Sequence, residues 1–83
     1  MIKISKLSDY ATLLMLALAK APNKAQSTQY LADVSQLKLP TIRKVLKMLL
    51  QQNLVLSKQG SLGGYRLARN PADITIAQIL KAT

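Results

Sequence analysis

Pro40-Thr41-Ile42-Arg43-Lys44-Val45-Leu46-Lys47-Met48-Leu49-Leu50-Gln51-Gln52-Asn53-Leu54-Val55-Leu56-Ser57-Lys58-Gln59-Gly60-Ser61-Leu62-Gly63-Gly64-Tyr65-Arg66-Leu67-Ala68-Arg69 changes its period once, and the change decides the fold. Up to about Gln52, Ile42, Val45, Leu46 and Leu49 follow the i, i+3, i+4, i+7 spacing of a helix buried on one face. Arg43, Lys44, Lys47 and Gln51 share the opposite face. Pro40 is expected at the first helical position, where its missing N–H costs nothing. That puts Leu39, a poor capping residue, at the cap. After Asn53 the spacing becomes that of a strand. Leu54–Ser57 reads as one strand and Tyr65–Arg69, alternating apolar and basic, as its return. The intervening Lys58–Gly64 is too long for a tight turn and predicts a glycine-rich tip.

Working back toward the N-terminus, Ser27 opens a short helix to about Ser35, with Leu31 and Val34 expected inward and Leu37 closing the turn. Before it, Ser8 or Ser5 caps a helix running to about Lys20 and ended by Pro22-Asn23. Tyr10, Leu14, Ala17, Leu18 and Ala21 form its stripe, while Leu13, Met15 and Leu16 lie off it. A helix apolar on so many sides is buried on more than one, and in a domain this small the second side is expected to meet another subunit. Tyr10, Tyr30 and Tyr65 read as packing residues. Toward the C-terminus, Asn70-Pro71 breaks the second strand. Asp73 or Thr75 then caps a last helix whose apolar side is Ile76, Ile79 and Leu80. Two helices joined by a four-residue turn, then a hairpin, predict one domain over 1–83 that is mainly α with a small β-hairpin: a winged helix-turn-helix.

Composition narrows the chemistry. The 83 residues carry 12 Lys and Arg against three acids, a net charge of +9. Seven of the bases and one acid fall in residues 39–83, so that half is expected to hold the contact surface for a polyanion. With no cysteine and no histidine, disulfides, thiolate clusters, imidazole metal sites and His-based catalysis are excluded for this chain. Asp9, Asp33 and Asp73 are too dispersed to suggest paired carboxylates, and no enzyme is expected. The longest apolar run, Leu13–Ala19, is far short of the ~20 residues of a membrane span. Asp9 and Tyr10 interrupt any signal-peptide pattern, so the expected compartment is the cytoplasm.

A helix with this basic face fits the major groove of B-DNA. Thr41, Arg43 and Lys44 lie near its N-terminal end, where base edges are reached, and Lys47 lies one turn on. Arg43 matches guanine bidentately, whereas the lysines reach a base or a phosphate. Ser27 and Thr28, at the start of the preceding helix, are also expected DNA contacts. In the wing, Lys58, Gln59, Ser61, Gly63 and Arg66 are the expected backbone or minor-groove contacts, the glycines letting the main chain approach phosphate. The predicted partner is double-stranded operator DNA, with no cofactor in this chain.

Three stretches resemble the IscR-type, or Rrf-two, family of bacterial winged-helix regulators. They are Ser5-Lys6-Leu7-Ser8-Asp9-Tyr10-Ala11-Thr12, the helix at Leu37–Leu46 with the strand start Asn53-Leu54-Val55, and above all the wing Gly60–Arg69. Residues 73–80 resemble the family's next helix. The opening and Leu39-Pro40-Thr41 are most similar to the branch that controls the SUF iron–sulfur assembly operon. The resemblance implies a homodimer on a pseudo-palindromic operator. In many members it also implies an iron–sulfur cluster on three cysteines beyond the wing, which would belong to a longer parent. The expectation is a fragment ending before the dimerisation helix and the cluster region. Three positions depart from the family: Gln59 stands where an Arg is usual, Gln36 where a turn Gly is frequent, and Arg43 where an acidic or neutral residue is frequent. Two alternatives remain open: a winged-helix module docking an acidic protein, and a nucleic-acid binder of low sequence specificity.

Overall fold

The computed structural model describes residues 6–60 and 63–83. Its elements run α1 (Lys6–Ala19), α2 (Thr28–Ser35), α3 (Leu39–Gln51), β1 (Val55–Lys58), β2 (Gly64–Leu67), a 3₁₀ turn (Pro71–Asp73) and α4 (Ile76–Ala82). The two strands pair antiparallel, Val55 opposite Leu67 and Lys58 opposite Gly64. This is the expected mainly α winged helix-turn-helix.

One apolar cluster organises the elements. Leu14 and Leu18 of α1, Leu31 of α2, and Ile42, Val45, Leu46 and Leu49 of α3 are all fully buried. Leu54, Val55, Leu67 and Ile79 close the cluster from the wing and α4. Alternation along the hairpin therefore turns Val55 and Leu67 inward and leaves Leu56, Lys58 and Arg66 on the outer face.

Several expectations shift. Ser8 is not a cap; it is buried inside α1, where its hydroxyl meets that of Thr83 at 2.6 Å and ties α1 to the end of α4. Ser5, the alternative, lies outside the described residues. Of the off-stripe residues on α1, Met15 is buried but Leu13 and Leu16 are 47% and 59% exposed, so one side of the helix has no cover among the described residues. Val34 and Tyr30 are also half exposed rather than inward. They project from the same side of α2, one turn apart, while Leu31 alone reaches the core centre. Lys38, not Leu39, is the N-cap of α3, and Pro40 follows Leu39 in the first turn. Leu39 thus begins the helix, and the linker shrinks to Gln36, Leu37 and Lys38.

Both strands sit slightly off their expected bounds, because Leu54 is still in the connection from α3 and Arg69 lies past the end of β2. Thr75 caps α4 through a reciprocal box: its Oγ1 accepts from Gln78 N–H, and Gln78 Oε1 accepts from Thr75 N–H. Asp73 belongs to the 3₁₀ turn, which Asn70 caps. On α4 only Ile79 is buried; Ile76 and Leu80 face outward at 60% and 38% exposure. No described helix is long and apolar enough to cross a membrane.

Candidate nucleic-acid interface

The helix-turn-helix is set by two local devices. Ser27 caps α2, its Oγ accepting from Tyr30 N–H at 3.0 Å, and leaves the first-turn N–H groups at Thr28 and Gln29 without intrahelical partners. Gln36 ends α2 in the left-handed conformation at φ 61°, a position that favours glycine. Its main-chain N–H donates to Ala32 O, and its side-chain Nε2 donates to Asp33 O at 2.7 Å. The glutamine side chain thus fastens a left-handed turn position that holds no glycine. Ser35 Oγ, accepting from Leu37 N–H, holds the chain as it enters α3.

α3 then presents a divided surface. Ile42, Val45, Leu46 and Leu49 are fully buried, and Arg43, Lys44 and Lys47 are exposed on the other side with Thr41 half-buried beside them. No acid pairs with these cations among the described residues. Their heads are free to meet an external anion or base edge.

The wing's geometry depends on a strand pair that the sequence did not reveal. Gln26 and Tyr65 exchange both main-chain hydrogen bonds at 2.8 Å, adding a one-residue third strand beside β2. Gly64 makes this possible: at φ 140°, a Cβ there would strike the carbonyl of Gln26. Gly63 is equally confined, since a Cβ would strike the carbonyl of Lys58. Lys58 and Gln59 are exposed, Arg66 is half-buried on the outer face of β2, and Ser61 lies outside the described residues.

Eight of the eleven predicted residues fall into two groups; half-buried Thr28 and exposed Gln59 belong to neither, and Ser61 is outside the described residues. Thr41, Arg43, Lys44 and Lys47 make the α3 surface. Ser27, Lys58, Gly63 and Arg66 instead line a common cleft beside the wing, together with Lys20, Lys24 and Tyr30. The sequence reading passed over Lys20 and Lys24. Their signal was present, two lysines flanking Pro22-Asn23 where the chain leaves α1, but only the Gln26–Tyr65 pairing brings that segment against the hairpin.

The fold accords with that of the solved structures the chain matches. The Rrf2 family, described as "Iron-dependent Transcriptional regulator", matches over residues 4–83. The chain belongs to this family. It is 32% identical over 82 residues to the HTH-type transcriptional regulator NsrR of Shouchella clausii (strain KSM-K16), covering 98% of this chain and 55% of that protein. CymR (YrzC), the global cysteine regulator of B. subtilis, superposes with a TM-score of 0.94 at 30% identity, covering 99% of this chain and 64% of CymR. IscR of T. potens gives a TM-score of 0.90 at 30% identity over 98% and 60% of the two chains. The chain thus spans little more than half the length of these relatives. An iron site does not fit the donors present: there is no thiolate or imidazole. No group of three acids, cysteines or histidines comes together among the described residues.

Proposed function

We propose that this chain is a sequence-specific reader of double-stranded DNA that regulates transcription. The observation that carries the reading is the α3 surface, where three unpaired cations stand back to back with four fully buried aliphatic residues. α3 is thereby fixed to the core while Arg43 and Lys44 enter the major groove, Lys47 meets phosphate, and the wing reaches the flanking backbone. The net charge of +9 favours DNA at long range but does not choose a sequence.

The proposal extends to a homodimer on an operator with inverted half-sites, supported by the exposed Leu13 and Leu16 of α1, and to work in the cytoplasm. It also includes control of iron–sulfur assembly genes, supported by the Ser5–Thr12 opening and Leu39-Pro40-Thr41. In a longer parent protein, a dimerisation helix and a cysteine-held cluster would add assembly and sensing to this unit.

Band shifts on a duplex of random sequence at several salt concentrations test the contact surface. Lys47→Ala should lower the slope of log affinity against log salt by roughly 0.9, the yield of one lost phosphate contact. An unchanged slope removes Lys47 from the interface, and no band shift at low salt sinks the DNA reading in favour of an acidic protein partner.

A further inference from the structure

The cleft beside the wing has a composition that recognition by α3 does not explain. It has a volume of about 680 Å³. Lys20 and Lys24 line one side, Lys58 and Arg66 the other, and no acid is among the lining residues. Four like charges gathered around one concavity repel one another, and low-dielectric walls focus their field. None of the four is paired with an acid among the described residues. Asp33, the nearest acid in sequence to this wall on α2, accepts from Gln29 instead.

Donors converge on the same space. Ser27 caps α2 by accepting a hydrogen bond, which leaves its O–H free to donate outward. The first turn of α2, an eight-residue helix, adds the positive end of its dipole. Tyr30, half exposed on this wall, offers its phenol. Gln26 also lines the cleft. It is 93% buried, its Nε2 donates to Ala17 O, and its Oε1, closed off from solvent, has no partner among the described residues.

We propose that this cleft is a binding site for a phosphate-bearing anion, separate from the α3 surface and centred on Lys20, Lys24, Lys58 and Arg66. The shared chemistry has two sources: a phosphodiester of the duplex flanking the site read by α3, or a free phosphorylated solute. The inference rests on the DNA reading only for the first source. Lys20 and Lys24 test it cleanly, because both are exposed, pack against nothing in the core and lie outside the helix-turn-helix and wing contacts.

The experiment has two arms on the 83-residue chain and its Lys20→Ala/Lys24→Ala variant, with thermal melting used to confirm equal folding. In the first, random-duplex affinity is measured against salt. In the second, pyrophosphate is titrated while amide NMR shifts of Lys24, Ser27, Tyr30 and Arg66 are followed. We expect the variant to lose roughly 1.8 in salt slope, two contacts' worth, and at least tenfold in pyrophosphate affinity. Loss in the salt slope alone assigns the cleft to the DNA backbone, and loss in the titration alone assigns it to a free anion. The proposal is overturned if the slope is unchanged and pyrophosphate moves no amide in the cleft, or moves them equally in both proteins. If the wild type binds no duplex, the DNA reading fails while the titration still decides the cleft.

Discussion

Arg43 is the residue on which base reading turns. It opens the second turn of α3, exposed and without an acidic partner among the described residues, and its planar fork matches guanine O6 and N7. Lys44, one residue on, is a point charge that discriminates less. Arg43→Ala should weaken binding to a preferred duplex by about 1–3 kcal/mol and flatten preference at one base pair per half-site, whereas Lys44→Ala should cost less and leave preference in place. Competition between preferred and random duplexes measures both. Equal loss of affinity on the two would make Arg43 a phosphate contact. These positions were legible from sequence because four aliphatic residues at helical spacing fix which side of α3 is outside. Tyr30 and Val34 were misread for a related reason. In an eight-residue helix one buried leucine is enough to anchor it, and the neighbouring apolar side chains are free to face away.

Among the elements, the hairpin shows most clearly what sequence could and could not show. Its two strands, its basic alternation and its glycine-rich tip followed from the switch in period at Asn53. The third strand did not, because a single bridging residue has no pattern to detect, and Gln26 is polar where a strand beside a core usually offers an apolar side chain. The same gap hid Lys20 and Lys24. Gly64 gives a direct check on this junction. A methyl group there meets both a left-handed φ and the carbonyl of Gln26, while at Gly60 the φ is also positive, at 108°, but the space is open. Gly64→Ala should therefore lower stability by roughly 1–3 kcal/mol more than Gly60→Ala, a gap of several degrees in Tm. Equal melting temperatures would show that the Gln26–Tyr65 pairing does not restrain the wing. At the helix ends, capping chemistry decided the finer points: Thr75 with Gln78 completes a box that Asp73 cannot, and Lys38 caps α3 with its backbone alone.

For the whole molecule, class and charge were readable from composition. A chain with +9 net charge and neither histidine nor cysteine is suited to holding a polyanion and lacks the side chains for imidazole or thiolate chemistry. What a single sequence could not settle was which of the off-stripe side chains of the first helix are covered within the chain. The second apolar side of the first helix was expected to meet another subunit; Met15 is instead covered within the chain, Leu13 and Leu16 are open, and the proposed dimer rests on that exposure. The central claim is that the α3 surface reads sequence, so the most direct measurement is selection of binding sites from a random pool of double-stranded DNA. Convergence on one motif with inverted half-sites is expected, in which a guanine preference disappears for Arg43→Ala. A bound pool as random as the starting one, from a protein that still binds DNA at low salt, would contradict it.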